Sequence, residues 1–336
     1  MVAFFTDKHV VIVLLTLAAS LFVLSKSASL LVDKAVLLSE KWGLSAVVIG
    51  ATVVSLGTTL PELSVSIIAA FRGNVSFALG NAVGSVITNS TLILGMAALF
   101  GYIAVGRREG QKLKLLIGVA LLMMAMPVVA LAVGGTAMIP RFGGIVLVGL
   151  VPVYMVFLVM QEKKNPLPEE GDLQVPSLRT SAAVLVGLIV LAALAVALSA
   201  AVLVATAEVL ARRVGIPDAV IASTLVAFGT SVPELSTAIA AARGGHGALA
   251  LGNVLGANIL NILLVVGLAV SLSPEVAVVS EEALKVHFPA LAAVLFVLGV
   301  FAYNQRIHRL SKKEGMLLVG VYILFLFVNF FLGSLV

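Results

Sequence analysis

The chain has no cysteine and a single tryptophan among its 336 residues, and only 11% of it is Asp, Glu, Lys or Arg. Without cysteine there is no disulfide framework, no thiolate metal site and no cysteine nucleophile. An ordinary soluble domain is about 25% charged and about 45–50% apolar. Here 61% is apolar and the mean hydropathy is +1.19. One or two soluble cores of this size could not bury that much apolar surface, whereas ten membrane spans of about 20 residues need about 200 apolar positions. A soluble enzyme, a disordered chain and a disulfide-stapled secreted domain are therefore excluded. The net charge of +5 lies mostly between apolar runs, as membrane topology requires. A lipid bilayer is the expected surrounding, and no nucleic-acid partner is expected.

Apolar runs mark ten helices, near 10–33, 45–71, 75–101, 112–133, 142–161, 180–211, 217–243, 247–272, 285–303 and 314–334. The expected fold is an all-α membrane protein. The polar stretch between Gln161 and Arg179 carries Pro166, Pro168 and six charged residues at 162–172. It reads as a linker, giving repeats over 1–161 and 180–336 joined by a cytoplasmic 162–179. Lys8 followed by an apolar run and Ser27-Ala28-Ser29 has the form of a signal peptide. Ser27-Ala28 and Leu31-Val32 return as Ser199-Ala200 and Leu203-Val204 in the sixth run, so the first belongs to the fold. With the N-terminus outside, basic residues in the inside loops outnumber those outside by roughly two to one, which places both termini outside a cell membrane.

Self-similarity is the most informative feature. Gly57-Thr58-Thr59-Leu60-Pro61-Glu62-Leu63-Ser64 recurs as Gly229-Thr230-Ser231-Val232-Pro233-Glu234-Leu235-Ser236, and Gly80-Asn81-Ala82-Val83-Gly84-Ser85 as Gly252-Asn253-Val254-Leu255-Gly256-Ala257. Asn89 pairs with Asn261 and Gly95 with Gly267, always displaced by 172 positions. Five spans per half is an odd number, so the second half enters the membrane from the opposite side. Such inverted repeats place ion sites near the bilayer midplane, on broken helices. The glycines four apart suit close helix packing, but packing gives no reason to repeat a carboxylate.

Glu62 and Glu234 fall within apolar spans, where a charge costs roughly 2.5–3.5 kcal/mol on insertion scales. No Lys or Arg lies at equivalent depth in the second, third, seventh or eighth run. Two unpaired carboxylates call for cations or protons, and a divalent ion balances their charge. Pro61 and Pro233 have no N–H to offer the carbonyls of Gly57 and Gly229, and freed carbonyls in lipid need another partner. Thr58, Thr59, Thr230 and Ser231 add hydroxyls. Ser85 and Asn89, like Ala257 and Asn261, share a helix face. Such oxygens are hard donors, suited to Ca²⁺ or Na⁺.

The doubled pattern Gly-Thr-Thr/Ser-x-Pro-Glu with Gly-Asn-x-x-Gly-Ser/Ala-x-x-x-Asn resembles the α-repeats of the cation/calcium exchanger superfamily, and within it the prokaryotic sodium/calcium exchangers. The proton-coupled branch has Gly-Asn-x-x-Glu where this chain has Gly-Thr-x-x-Pro-Glu, so the resemblance implies Na⁺/Ca²⁺ antiport by alternating access. It implies that Glu62, Glu234 and the carbonyls of Thr58 and Thr230 hold Ca²⁺. Sodium would draw on Ser55, Thr59, Ser85, Ala227, Ser231 and both glutamates, with Asn89 and Asn261 lining the centre. Some relatives have Asp at the Asn261 position and Ser at the Ala257 position; the former difference resembles potassium-independent members. The resemblance also implies that the first and sixth spans slide across the other eight. A proton/calcium antiporter is the nearest rival, and a cation channel a more distant one. No phosphate loop, His-Glu-x-x-His or Ser/His/Asp set occurs, so no enzyme activity and no cofactor are expected. The chain is expected to work as a monomer on Ca²⁺ and Na⁺.

Overall fold

A computed structural model describes residues 2–104, 107–164, 180–214, 227–303 and 309–333. A short helix α1 (Val2–Thr6) precedes a long α2 (Val10–Trp42). Next come α3 (46–58), α4 (Leu60–Phe71) and α5 (Val75–Phe100). A strand β1 (Ile103–Ala104), α6 (Arg107–Gly134), β2 (Met138–Ile139) and α7 (Arg141–Lys164) follow. After the linker come α8 (Ala182–Arg213), α9 (Ala227–Gly229), α10 (Val232–Arg243) and α11 (Gly247–Leu272). The chain continues through β3 (Ala277–Val278), α12 (283–303), β4 (Arg309–Leu310) and α13 (Lys312–Gly333). Among the described residues seven helices are long and apolar enough to cross a membrane, or eight if the bent pair α3–α4 is one span. The expected linker and the first part of the run 217–243 lie outside the described residues.

Helix α2 runs well past the expected end of the first span at 33, because Asp33, Lys34 and Glu40 sit on a surface helix where charge is tolerated. It stops where Gly43 takes a left-handed φ of 62° and its N–H reaches back to the Glu40 carbonyl, a glycine C-cap. α2 and α8 pack along each other. Both are peripheral: 22% and 39% of their most apolar stretches are buried, against 72% for α5 and 83% for α11. α5 and α11, which carry Asn inside apolar runs, are thus the more deeply buried.

Backbone contact replaces side-chain packing at several glycines. A methyl group on Gly252 would lie 2.3 Å from the Val47 carbonyl, and one on Gly256 2.5 Å from the Ala51 Cα, so α3 and α11 touch main chain to main chain. A Cβ on Gly95 would meet the Gly315 carbonyl at 2.8 Å, and one on Gly267 the Gly144 carbonyl at 3.1 Å. Two antiparallel ribbons tie the halves together, β1 with β4 and β2 with β3.

Candidate functional site

The helix break before each glutamate is local and repeated. Thr59 (φ −77°, ψ −4°) interrupts the helical path between α3 and α4, which are bent by 47°. Ser231 (φ −90°, ψ 2°) stands in the same place before α10. Proline then occupies the first turn of each new helix, where its missing N–H costs nothing. Glu62 and Glu234 thereby fall in a first turn, where the helix dipole favours an anion. Both are fully buried, with 0% exposure.

The neighbouring helices widen where they meet these breaks. α5 carries a π-bulge at Asn89–Ile93 and α11 one at Asn261–Val266. Each bulge opens on the central asparagine, and π-bulges of this kind are frequent at functional sites. A third bulge at Gly50–Val54 in α3 leaves the Ala51 carbonyl to accept from the Tyr154 hydroxyl of α7 at 3.0 Å.

These elements converge across the two halves. The Ser231 hydroxyl donates to Glu62 Oε1 at 3.4 Å, and the Thr58 hydroxyl to Asn253 Oδ1 at 3.4 Å. Buried polar atoms without a hydrogen-bond partner among the described residues concentrate here: Glu62 Oε2, both Glu234 oxygens, the Thr59 and Thr230 hydroxyls and the amide groups of Asn89 and Asn261. Buried polar atoms are otherwise almost always paired. Of the remaining candidates, Ser55 and Ser85 are buried, the former with its hydroxyl on the Thr52 carbonyl at 3.2 Å. Thr230 is half-buried. The Ala227 backbone begins α9, but its side chain lies outside the described residues.

Other residues enter that the sequence pattern did not single out as ligands. Asn81 Nδ2 donates to Ser66 Oγ at 3.0 Å and to the Glu62 carbonyl at 3.4 Å. Asn253 Nδ2 donates to Thr237 Oγ1 at 3.1 Å. These amides hold the helices bearing the carboxylates. Their presence in both Gly-Asn motifs was the available signal. Asn258, bonded to Ser90 at 2.8 Å, has no counterpart at position 86, so the repeat gave no sign of it. Among the described residues no three His, Cys, Asp or Glu side chains gather as a metal centre.

A pair of buried carboxylates amid unpartnered oxygens, set on broken helices between apolar bundles, defines a membrane transporter for cations. The sodium/calcium exchanger protein family model matches residues 12–160 and 184–331, and the chain belongs to that family. It is accordingly a multi-pass membrane antiporter of the cation/calcium class and no enzyme.

The putative antiporter CaxA of Alkalimonas amylolytica is 31% identical over 271 residues, covering 78% of this chain and 81% of that protein. The sodium/calcium exchanger MaX1 of Methanosarcina acetivorans is 42% identical over 119 residues, 35% of this chain and 33% of its own length. The solved sodium-calcium exchanger NCX_Mj, soaked with 10 mM Na⁺ and no Ca²⁺, superposes with a TM-score of 0.78 at 26% identity, covering 94% of this chain and 98% of its own.

Proposed function

We propose that the chain exchanges Na⁺ for Ca²⁺ by alternating access. Its ten spans form two inverted five-helix repeats, 1–161 and 180–336, joined by a cytoplasmic linker at 162–179. Both termini lie outside, and the monomer is the working unit. Ca²⁺ sits between Glu62 and Glu234 with the carbonyl oxygens of Thr58 and Thr230. Na⁺ occupies overlapping sites drawn from Ser55, Thr59, Ser85, Ser231, the backbone at Ala227 and the same two glutamates, with Asn89 and Asn261 lining the centre. The observation that carries this reading is the fully buried carboxylate pair, which has no basic partner among the described residues. Burying an ionised carboxylate without compensation costs several kcal/mol, and a divalent cation supplies the compensation for two of them at once. Overlap makes the exchange obligatory: one set of oxygens holds either ion, so loading one expels the other.

Sodium is favoured as the counter-ion by the hydroxyls and by proline next to each glutamate, and by the similarity to MaX1 and NCX_Mj, which are sodium/calcium exchangers. The deciding experiment is initial ⁴⁵Ca²⁺ uptake into proteoliposomes driven separately by outward Na⁺ and H⁺ gradients. Uptake with the Na⁺ gradient alone is expected. Uptake with the H⁺ gradient alone would transfer the assignment to a proton/calcium antiporter, and flux without either gradient to a channel. One Ca²⁺ neutralises the two carboxylates and three Na⁺ leave one positive charge, so three-for-one exchange responds to a valinomycin-clamped potential.

A further inference from the structure

Beside the ion site lies a cavity of 400 Å³ between α8, α4 and the stretch leading into α10. Its walls include Gly229, Thr230 and Pro233 on one side and Pro61 on another, the residues immediately before the two buried glutamates. Val2 of α1 borders it as well. That helix is fastened over α8: the Arg213 guanidinium donates to the carbonyl of Thr6 at 2.9 Å, and Phe5 is buried against Ala205 and Val209. Among the described residues that line the cavity, Glu208 is the one charged side chain. Its side chain is 12% exposed and pairs with Arg212, one turn further on, at 2.9 Å; Arg212 itself is 48% exposed. The position 172 residues earlier is Val36, so this acid has no counterpart in the other half.

We propose that Glu208 is a capture site for the incoming cation in the wall of this cavity, with Arg212 as a competing internal cation that tempers its attraction. The inference rests on the exchange reading above for the identity of the ion. A charge set in low-dielectric walls focuses its field into the cavity and raises the local concentration of counter-ions, with on-rates increased by about 10–10³ in favourable cases. Ca²⁺ approaching Glu208 meets a carboxylate already paired with a half-exposed guanidinium, so the two cations compete for it. Thr230, next to the buried glutamate site, lines the same cavity. Glu208 is thus a positioning residue for loading and does not form part of the occluded site.

The pair separates this role from a plain helix salt bridge. If Glu208 and Arg212 merely staple α8, removing either one breaks the same bridge and both changes act in the same direction. A capture role predicts opposite directions. Glu208→Gln raises the half-saturating Ca²⁺ concentration by about threefold or more at low ionic strength, and Arg212→Gln lowers it by a similar factor, within the range of such steering effects. The double variant returns close to wild type, and Glu208→Asp, which keeps the charge, stays near it. The rate at saturating Ca²⁺ stays within about twofold in all four, and the differences shrink in 0.5 M choline chloride because exposed charges are screened. Each protein is reconstituted as the full chain and assayed under both Na⁺ and H⁺ gradients, so a wrong counter-ion leaves the comparison of variants readable. Shifts of the same sign in the two single variants, or none in either, would overturn the proposal.

Discussion

The two halves of the site share their carboxylates, helix breaks and central asparagines, and differ in the hydroxyls and charges placed around them. Glu62 and Glu234, Thr58 and Thr230, Asn89 and Asn261 occupy matching positions. Around them the first half carries Ser55 and Ser85 where the second has Ala227 and Ala257. The hydroxyl that holds the Gly-Asn amide moves by one residue, from Ser66 in the first half to Thr237 in the second. The second half alone has Asn258 and, at the edge of its long outer helix, Glu208. Charge balance for a divalent ion needs both carboxylates, so they are held in common. In the proposed exchange, hydroxyl donors and cavity charges can differ, because each would serve one ion or one side of the cycle.

The harshest test of that division is to neutralise one carboxylate at a time. Glu62→Gln and Glu234→Gln are each expected to lower Ca²⁺ exchange by about a hundredfold or more, since uncompensated loss of one partner in a buried charge set costs about 3–5 kcal/mol. The proteins should still elute as folded species from detergent columns. Near-normal uptake by either variant, correctly folded, would end the claim that the two halves contribute equal charge.

Next in size is the seam where α3 meets α11. Gly256→Ala forces a methyl group to within 2.5 Å of the Ala51 Cα, and overpacking of this kind costs about 1–3 kcal/mol. A fall of several degrees in the thermal unfolding midpoint is expected, and an unchanged midpoint would show that the backbones are not in contact. Tyr154→Phe removes the donor to the Ala51 carbonyl. It should destabilise by about 1 kcal/mol, the net worth of a typical buried hydrogen bond, read by the same melt. A like change in the second half has no equivalent, because Leu326 stands at the corresponding position.

The finest test restores symmetry. Ala257→Ser supplies the hydroxyl that Ser85 offers on the other side. A two- to threefold fall in the half-saturating Na⁺ concentration is expected, corresponding to about 0.5 kcal/mol at 1.4 kcal/mol per tenfold. Ser85→Ala should move it the opposite way in ⁴⁵Ca²⁺ uptake assays. If neither responds, the serine on this face does not touch sodium.

What the chain reveals before folding follows from the same contrast. Paired carboxylates in apolar runs are visible because they are costly and repeated, and the span pattern is visible because lipid demands it. The π-bulges at Asn89 and Asn261 were not legible, since a bulge adds a residue to a turn without changing composition. Tyr154 reads as an ordinary apolar-span tyrosine until the bulge that frees its acceptor is seen. Asn81 and Asn253 stood inside the recognised motifs, yet their task of anchoring the carboxylate helices depends on hydroxyls at unequal spacing. Glu208 escaped attention because it sits near a helix end, where a charged pair with Arg212 is ordinary for a surface. Only the cavity beside it separates it from its neighbours.

The two ribbons between the halves also set a schedule for biosynthesis. Ile103 precedes its partner Leu310 by 207 positions, and Met138 precedes Val278 by 140. At roughly 5–20 residues per second of synthesis, the first-half strand at Ile103 waits about 10–40 s for its mate. For that interval its backbone N–H and C=O groups stand unpaired at the end of a finished span. Each strand is two residues long, too short to template pairing with another chain. The half-made protein can therefore wait beside its neighbours in the membrane with little risk of joining them, and the ribbons close late in synthesis.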